Sequence, residues 1–292
     1  MKARIEAVEI EGVLSVIPAP GEPMPLVFDS PHSGLLFPEE FKPAVPRELV
    51  LLASDTYVDS LFSFAPGIGA ACLFAHFPRS YMDVNRSLLD MDIELVEGVW
   101  PHAIRDSAVA RRGMGLVWRY AWGGTPMYSG PLAVAELEGR IHRYWWPYHR
   151  NLKSLLDALY ELFGCVYHVN CHSMPASGHA LSPDPPGVAR PDFVLGDNLG
   201  TSCTKAFVDL AGTVLRGFGY SVAVNVPFKG AELITAYSDP SRHRNSLQIE
   251  INRRLYMDET TRERSDGYEK LAGDLRLLGE ALCQHAVANI PP

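Results

Sequence analysis

Two histidines stand where short β-type runs end: His32 in VFDSPHSG (27–34) and His172 in HVNCHSMP (168–175). A third polar set lies in LQIEINRRLYMDE (247–259), where Gln248, Glu250 and Asn252 alternate with Ile249 and Ile251. Alternation with a period of two places the three polar residues on one face of a strand. In a sheet covered on both sides a carboxylate at 250 needs an ion-pair partner, for which Arg253 and Arg254 are at hand, or a chemical task. Left unpaired, it would cost several kcal/mol or be neutralised. Two imidazoles from separate strand ends plus an acidic residue can form an open zinc site with water in the remaining position. A glutamate that is not a ligand would then accept that water's proton. The spacing is long, unlike the compact His-Glu-x-x-His pattern, so this reading depends on distant segments converging in space.

Other segments supply further candidates. FPRSYMDVNRSLLD (77–90) brings Arg79, Asp83, Asn85 and Arg86 together after an apolar run, a mixture suited to forked recognition of a substrate carboxylate. In SDTYVDSLF (54–62), Asp55 and Asp59 sit four apart at the start of a helical pattern and would share a helix face. His243 and Arg244, just before Glu250, are placed to donate to a developing oxyanion. Cys171 should point away from His172, to the opposite side of its strand. His149, in WWPYHRNL, has Trp and Tyr neighbours of core type. The remaining histidines read as ordinary surface or packing residues.

The elements that must position these residues alternate along the chain. Apolar runs of strand length occur at 26–30, 71–77, 165–171, 193–197, 220–226 and 246–252. Between them, residues 132–164 place apolar side chains at three- and four-residue spacing, as does the tail from about 267 to 288. This alternation predicts an α/β fold with a mostly parallel sheet covered on both faces, in which ligands gather beyond the carboxyl ends of the strands. The Pro/Gly-rich stretch 176–200 reads as a loop beside a site rather than a boundary, so residues 1–292 are taken as a single domain.

Composition narrows the classes of function. With 47% hydrophobic and 21% charged residues over 292 positions there is material for a substantial interior. A formal net charge of −8 offers no basic excess for a phosphate backbone, which excludes nucleic acid as the expected partner. The opening segment alternates charged and apolar residues and lacks the uncharged stretch of a leader or membrane span, so a cytoplasmic location is expected and a membrane partner is not. The five cysteines are odd in number and mostly lie in apolar runs, so they read as reduced core residues.

Together the strings PHSG, DVNR, CHSMP and QIEINRRLYMDE resemble the N-formylglutamate amidohydrolase (N-formylglutamate deformylase) family, from about Phe28 to Glu259. The resemblance implies a three-layer α/β/α domain with a mixed, mostly parallel sheet, similar to the zinc carboxypeptidases and aspartoacylase. It also implies hydrolysis of N-formyl-L-glutamate to formate and glutamate, a late step of histidine breakdown. A related N-acyl amino acid deacylase, a carboxypeptidase, or a metal-free dicarboxylate-binding paralogue without activity are the alternatives. The substrate would be a small N-acyl amino acid and the cofactor one Zn²⁺ per chain, with the oligomeric state open. By the same resemblance His32 and His172 are zinc ligands and Glu250 is the general base. Asn85 and Arg86 would hold the α-carboxylate, and Arg79 or Arg253 the side-chain carboxylate or the oxyanion. Carboxypeptidase relatives carry a glutamate three residues after the first histidine, where this chain has Leu35. The acidic ligand must therefore come from elsewhere, and Asp55 is chosen with Asp59 in reserve. The residue two before the second histidine, often aspartate in such proteins, is here Asn170.

Overall fold

The computed structural model describes residues 5–292. Its centre is an eight-stranded sheet in the order β1-β2-β4-β3-β7-β10-β8-β9. The strands are β1 (Val8–Ile10), β2 (Leu14–Ile17), β3 (Leu26–Ser30), β4 (Ala71–Ala75), β7 (Val166–Met174), β8 (Phe193–Gly196), β9 (Val222–Val224) and β10 (Arg244–Asn252), while β5 (Val96–Glu97) and β6 (Leu132–Ala133) form a separate pair. The central strands β4, β3, β7 and β10 run parallel. β2 joins one side antiparallel, and β8 pairs antiparallel with β10 on the other. All six apolar runs of the sequence form strands of this sheet. The hairpin β1–β2 is additional, its inward residues paired as Val8 with Val16 and Ile10 with Leu14.

Helices cover both faces, giving the expected three layers. Against one face packs the helix Trp146–Phe163, through Leu152, Leu155, Leu156 and Leu159, with Val27 and Leu73 of the sheet. Against the other pack Lys205–Gly217 and Tyr268–Ala288, through Phe207, Leu271 and Leu275, on Phe28, Cys72, Cys171, Ile249 and Ile251. Cys171 thus faces away from His172 as expected, and all five cysteines are buried and free. The long helical stretch opens with Val134–Arg140 and passes through a π-helical turn, Ile141–Trp145, just before Pro147. Proline offers no N–H and crowds the preceding turn, and a widened turn there accommodates both. No helix among the described residues is long and apolar enough to cross a membrane.

The first face is polar at its centre. Register sets Asp29 beside Asn170 and Asn170 beside Gln248, and on the next rung His172 beside Glu250. Asp29 is fully buried and accepts from His168 Nε2 at 2.8 Å, Asn170 Nδ2 at 2.7 Å and Tyr148 Oη at 2.7 Å. Burial opposes its charge, but His168, Asn170 and Tyr148 outweigh that and hold its pKa below the usual carboxylate value. The turn after β3 lies against the end of β4, where Leu36 N donates to His76 O at 2.8 Å. A Cβ on Gly34 would lie 2.2 Å from the carbonyl carbon of His76 and 2.4 Å from Phe77 N. The glycine of PHSG is therefore required by close approach of backbone to backbone. Gly34→Ala should destabilise the protein by about 1–3 kcal/mol, read as a lower urea midpoint at unchanged slope. An unchanged midpoint would mean the turn yields freely.

Candidate active site

His32 follows β3, His172 lies near the carboxyl end of β7, and Asp55 sits in the turn before the short helix Val58–Leu61. Asp55 is tied to that place by its own N–H, which donates to His32 O at 3.0 Å. All three side chains are buried. His32 Nδ1 and His172 Nδ1 are 3.1 Å apart, and Asp55 Oδ2 lies 3.0 Å from His172 Nδ1 and 3.5 Å from His32 Nδ1. A tetrahedral ion with bonds of about 2.0–2.1 Å holds its ligand atoms roughly 3.4 Å apart, so the spacing suits such an ion. Among the described residues this is the one His/Cys/Asp/Glu cluster with that convergence.

The outer nitrogen of each ring decides where its proton sits. His32 Nε2 faces Asp83 Oδ1 at 2.7 Å, a contact that requires an N–H. Asp83 also accepts from Arg79 Nη2 at 3.0 Å, Trp118 Nε1 at 3.2 Å and Asn85 N at 3.0 Å. Burial disfavours its charge, but His32, Arg79 and Arg86 prevail, and its pKa falls well below the ordinary value. His172 Nε2 lies 2.7 Å from Asn170 Oδ1. Asn170 commits its NH₂ to Asp29, so its oxygen faces the ring and His172 carries its proton on Nε2. Asn85 Nδ2 lies 3.1 Å from the same nitrogen, but the shorter contact to an acceptor sets the tautomer. Burial, together with repulsion from His32, holds the His172 pKa below its usual value, so a second proton is disfavoured. Two Nδ1 nitrogens and a carboxylate oxygen therefore converge within 3.5 Å of one another, a donor set that suits a cation.

The second oxygen of Asp55 is held by Arg253 Nη2 at 3.1 Å and by Ser173 Oγ at 3.4 Å, with Arg79 Nη1 at 4.0 Å. Glu250 is treated differently. It is 8% exposed, has one hydrogen bond, from Gln248 Nε2 at 2.9 Å, and takes part in no ion pair among the described residues. The ion-pair alternative fails because Arg253 is spent on Asp55, Ser173 and Leu52 O, and Arg254 reaches Asp192 at 2.6 Å. Burial and the charge of Asp55 push the Glu250 pKa up to about 8, against the pull of Arg79, Arg190 and Arg253. Glu250, His172, Gln248 and Arg79 line a cavity of about 390 Å³. The stretch after His172 forms one wall, with Met174, Pro175, His179, Leu181 and Arg190.

The model of the N-formylglutamate amidohydrolase family matches residues 24–257, a span that contains every residue of this centre. The chain belongs to that family. An N-formylglutamate deformylase from Pseudomonas putida is 30% identical over 241 residues, covering 81% of this chain and 83% of the relative. One from Pseudomonas aeruginosa is 29% identical over 246 residues with the same coverage. The crystal structure of N-formylglutamate amidohydrolase from Ralstonia eutropha JMP134 superposes with a TM-score of 0.92 at 42% identity, covering 96% of this chain and 100% of that one.

In this member of the N-formylglutamate amidohydrolase family, the fold brings His32, Asp55, His172, Glu250, Arg79, Asn85, Arg86 and Arg253 to one place. Two expectations need correction. His243 lies at the opposite end of the sheet: it precedes β10, is exposed, and its carbonyl accepts from Val166 N at the start of β7. It cannot serve an oxyanion beside Glu250. Asp59 lies outside the converging His32/Asp55/His172 set, and because the helix begins only at Val58, after Tyr57 at φ 68°, Asp55 and Asp59 share no face. Asn85 stays on the cavity wall, with Oδ1 accepting from Leu233 N at 2.9 Å and Nδ2 beside His172 and Asn170. Arg253 also lines the cavity, and within the protein its guanidinium holds Asp55. His149 is a packing residue as expected, stacked on Trp145, with its Nε2–H donating to Val84 O and its Nδ1 accepting from Tyr237 Oη. Sequence reasoning left out Asp83 as the partner of His32, the Asp29 network, and Arg112 and Arg190 on the cavity wall. The DVNR string carries a signal for Asp83, a carboxylate set among arginines directly after an apolar run.

Asn170→Asp would set a second buried carboxylate against Asp29. It should lower stability by about 1–3 kcal/mol in urea titration at neutral pH, with a loss that grows as pH rises. Equal stability at pH 5 and pH 8 would contradict this. Asp29 and Asp83 have depressed pKa values in the fold, so their stabilisation is present above the unfolded value of about 3.9 and is lost as pH falls through the folded values. The melting midpoint of the wild type should accordingly drop steeply below about pH 4.

Proposed function

We propose that this protein is a zinc-dependent N-formylglutamate deformylase, converting N-formyl-L-glutamate and water to formate and L-glutamate, a late step of histidine breakdown. The observation that carries the reading is Glu250, buried, free of any ion pair among the described residues, and on the same rung as His172 of the His/Asp/His cluster. Family membership and the deformylase relatives support the choice of substrate. His32 Nδ1, His172 Nδ1 and Asp55 Oδ2 would hold one Zn²⁺. Bound there, the ion would supply Lewis acidity towards the formyl carbonyl and readier deprotonation of a water at neutral pH.

The side chains of this chain supply the rest. Glu250 takes the proton of the attacking water on its carboxylate and returns it to the amide nitrogen as the C–N bond breaks, so formate leaves and the amine of glutamate is released. Gln248, through its bond to Oε1, fixes the carboxylate that does this. Arg79, next to Asp55 and Asp83 and stacked on Trp118 at 5.0 Å, offers positive charge to the oxygen on which negative charge develops. Arg86 donates from Nε to Met114 O and from Nη1 to Asn85 O, while among the described residues Nη2 has only Asp83 at 4.0 Å. That nitrogen is offered to the substrate's α-carboxylate.

Formate release from N-formyl-L-glutamate, measured beside the zinc content of the purified protein, tests the proposal. Zinc-loaded protein that releases no formate would refute it. Glu250→Gln should reduce turnover by about 10²–10⁴-fold while the zinc stoichiometry stays that of the wild type. The variant has a second signature. Glu250 binds its proton more tightly folded than unfolded, so the fold loses stability as pH rises from the ordinary glutamate range through about 8. Metal-free Glu250→Gln should therefore melt above metal-free wild type in alkaline buffer, and an equal or lower midpoint would show that Glu250 is not strained there.

A further inference from the structure

Five arginines line the cavity: Arg79, Arg86, Arg112, Arg190 and Arg253. Four are matched from within the protein. Arg79 pairs with Asp83 at 3.0 Å, Arg253 with Asp55 at 3.1 Å, and Arg190 grips Asp184 with two prongs at 2.6 and 2.9 Å. Arg86 lies 4.0 Å from Asp83 and donates to two backbone carbonyls. Arg112 differs from all of these. Among the described residues its side chain has no hydrogen bond or ion pair, and its Nε is buried without a partner. The charges that act on it are those of like sign: Arg111 beside it, and Arg86, whose own guanidinium feels Arg112.

The position of Arg112 is also fixed. It ends the short helix Ala108–Arg111 and is followed by Gly113 at φ 71° and by Met114, whose carbonyl accepts from Arg86 Nε at 3.0 Å. A Cβ on Gly113 would meet the Tyr120 ring at 2.3 Å, and one on Gly115 would meet Asp90 O at 2.3 Å. The turn is thus tightly confined, and it ties the segment carrying Arg112 to the side chain of Arg86. Two guanidinium groups on one cavity wall, one of them with no counter-charge among the described residues, form an arrangement that an added carboxylate completes.

We propose that Arg112 is a specificity residue that takes the side-chain carboxylate of the substrate while Arg86 takes the α-carboxylate, so that the cavity selects N-acyl amino acids with an acidic side chain over neutral ones. This rests on the deformylase reading for its chemistry, but it can be tested without turnover. The kinetic test compares N-formyl-L-glutamate with N-formyl-L-glutamine, which differ in that carboxylate alone. In Arg112→Gln the ratio of the two kcat/KM values should fall by about 10- to 100-fold, carried by KM for the acidic substrate, with Arg112→Lys in between. A ratio unchanged in both variants would overturn the proposal, as would an equal loss on both substrates in protein that melts like wild type.

Should the wild type release no formate from either compound, the deformylase reading fails and binding decides the role of Arg112. Calorimetric titration with glutarate and with butyrate then gives the preference for a second carboxylate. A preference in the wild type that is lost in Arg112→Gln upholds the assignment. No preference in the wild type, or the same preference in both proteins, sinks it.

Discussion

A sheet covered by helices on both sides has no water to spare for charge, yet this one holds Asp29, Asp55 and Asp83 with none of the three more than marginally accessible. What makes this tolerable is that each carboxylate is met by donors from several elements. Asp29 is answered by β7 and by the long helix, Asp55 by Ser173 and by the arginine after β10, and Asp83 by Arg79, Trp118 and an imidazole. Removing one donor from such a group leaves an uncompensated charge and costs more than the bond itself. Glu250 is the exception, with a single amide donor and a raised pKa. That contrast sets Glu250 apart from these three carboxylates and fits the proton-transfer role proposed for it.

The part of the molecule that was legible in the sequence is the part governed by short-range pattern. Alternation of Gln248, Glu250 and Asn252 with isoleucines predicted the strand, its faces and the polarity of one of them, and β10 bears this out. His32 and His172 stood out because each closes an apolar run. Distance along a strand was harder to judge. His243 is only seven positions from Glu250, but an extended chain carries those residues to opposite ends of a nine-residue strand. The relation of Asp55 to Asp59 failed for a different reason: Tyr57 takes a left-handed conformation that breaks the presumed helix between them. Nothing local in the sequence separates an arginine with a counter-ion from one without, and only the folded arrangement sets Arg112 apart.

Asn170 shows how a local departure from an expected pattern can be absorbed over a longer range. An aspartate directly behind His172 would raise the basicity of the ring, and an amide alone would not. Here the amide accepts from the ring and donates to Asp29 on the neighbouring strand, so a carboxylate still backs the histidine at one remove. Asp29 in turn is steadied by His168 and Tyr148, residues with no place on the cavity wall. Support for the centre therefore extends well into the layer of the long helix.

The rung that joins His172 to Glu250 has an evolutionary consequence. Because side chains alternate along β10, a slip of one place against β7 would swing Glu250 into the greasy layer beneath Tyr268–Ala288 and bring isoleucine to the catalytic pocket. An insertion or deletion within this strand would disrupt packing and the polar face at once. Within β10, diversification is confined to exchange of one side chain for another at constant spacing.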